Sequence, residues 1–279
     1  FGPEKLCALA TAFAGARSWG FGGACRRALG VGADELHRLW LADLESAYRP
    51  VAERVRRREA AGERIAGKGF LNLFPAVDPE GGVWYLSNRG RDYMALDIVR
   101  RRADGSEKTV VADAGARADV NGDGSRICFS RTTRKNKHGY LRSDIYILDV
   151  AKGKERRLTR GLRAAYPAWS PDGSRIACVV TETGSHRIAV LDASSGAHEM
   201  LTPPVQGREY SSLSWGERGI LAARFEGSSR DVVLIDPGTG VETPLVAGDA
   251  DERDPRWSAG GEGFFYASDR TGIFNVYYR

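Results

Sequence analysis

Four histidines, His37, His138, His186 and His198, are the natural first places to look for chemistry. No two of them stand four apart on a helix, and no His-Glu-x-x-His occurs, so the paired imidazoles of a zinc peptidase are missing. No serine sits in a Gly-x-Ser-x-Gly elbow. The run Asp119-Val120-Asn121-Gly122-Asp123-Gly124 has the alternating oxygen donors that open a calcium loop. Its twelfth position, where an EF-hand needs a bidentate Glu, is Ser130, and its ninth, where shorter calcium loops carry an acid, is Ile127. Four cysteines, Cys7, Cys25, Cys128 and Cys178, include no Cys-x-x-Cys pair. Cys128 and Cys178 lie in apolar, strand-like runs and read as small core residues, while a Cys7–Cys25 disulfide stays open. These residues nominate no catalytic group, no metal ligand set and no cofactor site.

Charge narrows the partners. The 279 residues carry a net charge of +5, and residues 1–68 hold 12 Lys/Arg against 8 Asp/Glu. The remainder is close to neutral, so the excess gathers around Arg54, Arg56, Arg57 and Arg58, which read as a solvated helix face. A nucleic-acid interface needs a basic face, and none is expected. No run reaches the roughly 18 apolar residues of a membrane-spanning helix. The basic stretch Thr132-Thr133-Arg134-Lys135-Asn136-Lys137-His138 reads as a polar loop, and loops are where a scaffold places partner contacts.

Stepping from residues to elements, one pattern recurs five times. Val77, Val120, Trp169, Trp215 and Trp257 each stand four before a glycine: Gly81, Gly124, Gly173, Gly219 and Gly261. The units repeat at a period of roughly 40–50 residues, the spacing of four-stranded propeller blades. Within residues 166–202 the grammar is consistent. Tyr166 to Ser170 forms a short strand, and Pro171 and Gly173 form a turn. Arg175 to Val180, Arg187 to Asp192 and His198 to Thr202 follow as strands, parted by Thr183-Gly184-Ser185 and Ser194-Ser195-Gly196. Outer strands end in Leu-Thr at Leu158-Thr159 and Leu201-Thr202. The Trp rings are expected between neighbouring blades. Asn88-Arg89 and Asp269-Arg270 recur at one blade position, where an Asn or Asp can hold its own turn. The fold class is therefore all-β: four complete blades and a partial fifth over residues 70–279.

Residues 1–65 differ. Gly22 to Leu29 reads as a short helix, and Asp34 as the N-cap of a longer one. Leu36, Trp40, Leu44, Tyr48, Val51 and Val55 then mark one helical face, which Pro50 should kink or restart. Ala60 to Gly69 reads as a linker. Starting at Phe1 and stopping at Tyr278-Arg279 inside a strand pattern, the chain is expected to be an internal piece of a longer protein, with residues 1–65 the tail of an upstream domain.

The run Tyr166-Pro167-Ala168-Trp169-Ser170-Pro171-Asp172-Gly173-Ser174-Arg175-Ile176-Ala177, with Ile188 to Asp192 and Leu201-Thr202, resembles the TolB-type propeller repeat, as does Ser268 to Tyr277. The resemblance spans about residues 72–279. It implies a non-catalytic scaffold of the bacterial envelope or periplasm that binds a protein or peptide at its rim or channel. Gly23 to Gly30, then Asp34-Glu35-Leu36 and Leu39-Trp40, is similar to the helical tail of gluzincin-type metallopeptidase domains that precede such propellers. That implies an alternative, a gating or docking propeller for a peptidase whose catalytic domain lies outside the chain: a zinc metallopeptidase upstream, or a serine α/β-hydrolase downstream as in the prolyl oligopeptidase family.

Overall fold

The computed structural model describes residues 2–15, 20–57, 62–93, 95–115, 117–133 and 142–279. The chain divides into two compact units, Phe1–Glu63 and Arg64–Arg279.

The first unit is helical: α1 Pro3–Ala14, α2 Gly20–Leu29 and α3 Ala33–Arg56. The sequence reading missed α1, although Pro3 in its first turn suits a helix start. Gly32 rather than Asp34 is the N-cap of α3, and Asp34 and Glu35 instead sit in its first turn, where the helix dipole favours negative charge. Pro50 neither ends nor restarts α3. A proline inside a helix forfeits its own N–H bond and crowds the carbonyl four residues back, yet the flanking turns carry α3 to Arg56. The apolar stripe of α3 is only partly covered: Leu36, Leu44, Val51 and Val55 are half-buried, but Trp40 is 55% and Tyr48 61% exposed. Arg58 of the basic cluster and Ala60 of the linker lie outside the described residues.

The second unit is built from antiparallel sheets in strict sequence order. The first blade is β1 Asn72–Val77, β2 Val83–Ser87, β3 Leu96–Arg101 and β4 Glu107–Ala114. The second is β5 Ala118–Val120, β6 Arg126–Thr133, β7 Arg142–Asp149 and β8 Lys154–Arg157. The third is β9 Ala164–Trp169, β10 Arg175–Glu182, β11 Ser185–Asp192 and β12 His198–Met200. The fourth is β13 Glu209–Gly216, β14 Gly219–Glu226, β15 Ser229–Ile235 and β16 Glu242–Val246. The fifth has three strands, β17 Glu252–Trp257, β18 Phe264–Ser268 and β19 Asn275–Tyr278. First strands adjoin one another around a common axis, from β1 through β5, β9 and β13 to β17. This is the propeller that the repeat predicts.

Two-residue periodicity explains the stacking. Along β10, Ile176, Cys178 and Val180 pack on Cys128, Ile145 and Ile147 of the second blade. The alternate residues Ala177 and Val179 pack on Leu213, Ile220 and Val233 of the fourth. Ile127, Phe129 and Leu148 meet Trp84, Leu86 and Ile98 of the first blade, while Leu221 and Val232 meet Phe264 and Tyr266 of the fifth. Each such aliphatic side chain contributes about 1.5–3 kcal/mol when fully buried. The other side of the fifth blade is bare, with Phe265 45% and Val276 76% exposed, and so is the first blade's anchor Val77, at 81%.

Recurrent devices fasten the blades, two between neighbours and one within a blade. Trp169, Trp215 and Trp257 lie in the interblade layers, as expected. Each is capped by an arginine of the preceding blade: Arg126 over Trp169, Arg175 over Trp215 and Arg218 over Trp257. The Leu-Thr endings have a hydrogen-bonding cause. Thr159 Oγ1 accepts the Ile145 N–H at 3.0 Å and Thr202 Oγ1 the Ile188 N–H at 2.9 Å, joining the outer strand to the third where the ladder bends. The following blade's turn then seats on that ending. A Cβ on Gly196 would stand 2.4 Å from the Leu158 carbonyl oxygen, and one on Gly240 2.1 Å from that of Leu201. Only glycine fits there.

Asn88 holds its own turn as expected, its Nδ2 donating to the Tyr93 carbonyl at 3.3 Å, and Asn88 and Asp269 also reach further. Asn88 Oδ1 accepts the N–H groups of Phe70 and Leu71, both at 2.9 Å, and Asp269 Oδ1 accepts that of Asp251 at 2.8 Å. Both side chains therefore hold the strand entering their own blade, 17–18 residues upstream in each case.

Candidate functional site

The first strand of four blades carries the same irregularity. Phe74 and Pro75 together oppose Tyr85, and the pairs at 166–167, 212–213 and 254–255 oppose Cys178, Ala222 and Tyr266 in the same way. These are β-bulges, which turn side chains out of the ladder. The first residue of each bulge lies in the left-handed region: Phe74 (φ 53°), Tyr166 (52°), Ser212 (56°) and Asp254 (50°). For non-glycine residues this conformation costs roughly 1–2 kcal/mol each. In the second blade the register runs without a shift from Ala118 to Val120, and Arg117 occupies the matching position, three before the anchor Val120.

Four of these five residues converge on one another. The Arg117 guanidinium lies over the Phe74 ring, 4.8 Å from its centroid, and Nη1 donates to Asp254 Oδ1 at 3.4 Å. Ser212 Oγ donates to the same oxygen at 2.5 Å. Beside this group, Arg256 Nη2 donates to Asp119 Oδ1 at 2.8 Å, and Asp119 Oδ2 accepts the Trp169 N–H at 2.9 Å. Two arginines and two aspartates thus bridge the second and fifth blades across the axis.

The two halves of this cluster are not equivalent. Asp119 is buried with both oxygens engaged, and its charge raises the pKa of Arg256 above the usual arginine value. Arg117 is only 4% exposed, its ion pair is long, and its buried Nε has no partner among the described residues. Burial, and then the nearby Arg256 charge, push its pKa down to about 10. Asp254 is nearly half exposed.

Cavities flank the cluster. One of about 400 Å³ runs between the first and fifth blades and is lined by Phe74, Ala76, Arg117, Asp254, Phe265 and Val276. Asn72 also lines it, with a buried Oδ1 that has no partner among the described residues. The other, about 310 Å³, is bordered by Trp169, Trp215 and Trp257 and shares Arg256 with the first. Space, apolar walls and a few convergent polar groups are the features of a ligand site.

The residues weighed for chemistry lie elsewhere. His37 is exposed beside Trp40, His198 is exposed, and His186 Nδ1 sits 3.3 Å from the Tyr210 backbone. His138 and residues 134–138 of the basic loop lie outside the described residues. Cys7, Cys25, Cys128 and Cys178 are all free thiols, so the possible Cys7–Cys25 bond is not formed. In the calcium-like run, Asn121 Oδ1 accepts the Arg126 N–H and Asp123 Oδ1 that of Ser125, which makes it the first turn of the second blade. No group of three potential metal ligands occurs among the described residues.

Sequence reasoning missed the axial cluster. Its signal is variation inside the repeat: Phe74, Arg117, Tyr166, Ser212 and Asp254 share a position but no side-chain type.

No family model matches the chain, and no curated protein matches it. Solved structures do. TolB from Acinetobacter baumannii superposes with a TM-score of 0.61 at 19% identity, over 75% of this chain and 51% of that one. A TolB described as putative, from Agrobacterium tumefaciens, gives 0.59 at 19% identity, over 75% and 76%. A prolyl endopeptidase gives 0.50 at 15% identity, over 74% of this chain and 34% of that one. The chain thus spans about half the length of the Acinetobacter protein. The fold is that of a β-propeller. More narrowly, its blades are arranged like those of the two TolB structures, and among the described residues three helices precede them in the sequence.

Proposed function

We propose that this chain is a non-catalytic scaffold that binds a protein or peptide at the axial mouth of its propeller. The observation that carries this reading is the axial cluster: a buried, under-partnered arginine beside an apolar cavity, on strands whose bulges aim side chains away from the sheet. The resemblance to TolB supports the same class of role, and an envelope location with it. The test is a random-peptide library panned on the wild-type chain and on Phe74→Asp. Enrichment of peptides by the first and not by the second supports axial binding, and equal enrichment by both removes it.

A second reading has its own observation. The exposed apolar stripe of α3, with Trp40 and Tyr48, is what a helix docked on a further domain would present. In that form the propeller gates substrates for a peptidase domain outside the chain, and residues 1–65 belong to that domain. The flanking reading frame tests it, through His-Glu-x-x-His upstream or Gly-x-Ser-x-Gly downstream.

A further inference from the structure

We propose that a recess in the seam between the first and second blades binds a phosphate-sized oxyanion through Lys108 and Arg102. The inference stands apart from the axial-binding reading, and neither depends on the other.

Three observations carry it. First, this seam lacks the closures of the next one. Between the second and third blades, Arg156 donates to the carbonyl oxygens of Ser194 and Ala193 at 3.0 and 2.5 Å, and Gly196 leaves no room for a Cβ over Leu158. The corresponding residue of the first blade is Lys108, which pairs with Arg100 as Arg156 pairs with Ile147. Its ammonium makes no such bond among the described residues, and Gly153, the counterpart of Gly196, has open space around it. What remains is a recess of about 170 Å³ lined by Trp84, Arg100, Arg102, Lys108, Val110 and Val150.

Second, two of its cations are not ion-paired. Trp84, Arg100 and Lys108 are cross-strand neighbours on one face of the sheet. Arg100 is neutralised by Asp78 and by Glu80, the latter at 2.8 Å. Glu107, which also borders the recess, accepts from the Tyr85 hydroxyl at 2.9 Å and from Arg89 at 2.7 Å. Asp104, near Arg102, is committed to its own turn, where it accepts the Ser106 N–H at 2.8 Å. The exposed Lys108 and Arg102 form no ion pair among the described residues. Third, the indole N–H of Trp84, on a ring that lines the recess, is buried without an acceptor among the described residues. Buried donors normally have a partner, so this one marks where an acceptor would be gained.

An ammonium, a guanidinium and an indole N–H on separate segments suit an anion with oxygens in several directions, as a tetrahedral oxyanion has and a planar carboxylate has not. The recess is not an unfinished junction. Both blades have their four strands, and they pack on each other through Leu86, Ile98, Ile127 and Phe129.

The test uses the whole chain, isotopically labelled for nitrogen NMR, with inorganic phosphate titrated at an ionic strength held constant by sodium chloride. The probe is the Trp84 indole N–H resonance, identified by its absence from Trp84→Phe. It should move saturably with phosphate, and the melting temperature should rise, because a ligand of the folded state stabilises it. Lys108→Gln and Arg102→Gln should each weaken binding roughly 10-fold, the scale of a charged hydrogen-bonded contact. Arg160→Gln removes an exposed arginine from the loop between the second and third blades and should leave binding unchanged. If Trp84→Phe does not fold, the melting temperatures of wild type and these three variants carry the test. O-phosphoserine, titrated alongside, separates the sources: a response as strong as that to phosphate assigns a phosphoryl group on a larger molecule, and a weaker one assigns the free ion. The proposal is overturned if phosphate moves neither the resonance nor the melting temperature, if chloride alone reproduces the response, or if Arg160→Gln weakens binding as much as Lys108→Gln.

Discussion

The Arg126 guanidinium lies 4.6 Å from the centroid of the Trp169 ring, so an arginine of the second blade caps the anchor of the third. Its Nη2 also donates to the Gly173 carbonyl at 3.0 Å. A cation over an indole contributes about 0.5–2 kcal/mol, more as water is excluded. Arg126→Ala should therefore lower unfolding free energy by about 1–2 kcal/mol in urea titrations. A cycle with Trp169→Leu should recover a coupling between the two residues, and strict additivity would discard the staple.

The glycine at the third-strand turn offers a matched pair. Gly196 and Gly153 both have positive φ, 79° and 63°. A Cβ at Gly196 meets the Leu158 carbonyl oxygen at 2.4 Å, while a Cβ at Gly153 meets nothing within 4 Å. Both alanine variants carry the backbone penalty of about 1 kcal/mol, so their difference isolates the interblade clash. Gly196→Ala should melt clearly below Gly153→Ala. Equal melting temperatures would mean that the turn does not seat on the neighbouring blade.

Acid sensitivity has a defined origin at Asp172. Ser170 Oγ, Ser174 Oγ and the Ser174 N–H donate to its carboxylate at 2.6, 2.6 and 3.1 Å, and hold its pKa down to about 2. The unfolded value is roughly 3.9. The folded pKa is the lower one, so the stabilisation is complete above about pH 4 and disappears as pH falls through about 2. Wild type should melt above Asp172→Asn at neutral pH, and the gap should close across that window. A gap independent of pH would refute the assignment.

Arg117 should be a stability liability. Its pKa is depressed to about 10, so it stays charged at neutral pH and the burial penalty applies through the whole physiological range. Replacing under-compensated buried charge with an apolar side chain is often neutral or stabilising. Arg117→Met should leave the melting temperature unchanged or raise it. A clear loss of stability would show that the arginine serves the fold.

The isolated chain should show no peptidase turnover with or without added zinc. Cleavage of a mixed fluorogenic peptide set by homogeneous protein, persisting through repurification, would contradict the scaffold reading.

Much of the architecture can be read from residue types because the repeat carries its own geometry. A large apolar residue four before a glycine marks both the interblade anchor and the turn, and Trp169, Trp215 and Trp257 sit where that pattern puts them. The Leu-Thr endings are equally legible, although their hydrogen-bonding cause is not. The axial site is illegible for two physical reasons. Phe74 and Tyr166 adopt a backbone conformation that their own side chains disfavour, so local preference argues against the bulges that aim them. Arg117 and Asp254 meet across 137 positions of sequence, a distance at which no local pattern reports contact. Pro50 is a strong local signal, but the restart it suggests does not occur, because the turns on either side carry α3 on to Arg56.

Each bulge stands outside the paired register, so the residue at its apex takes no part in the ladder, although Phe74 and Tyr166 also pack against the apolar layers beside them. Phe74, Tyr166, Ser212 and Asp254 are different letters on one dial, so a single backbone seat accepts aromatic, hydroxyl and acidic side chains. On the scaffold reading, the exposed Asp254 spoke is where a designer would re-tune the hub with the least disturbance to those layers.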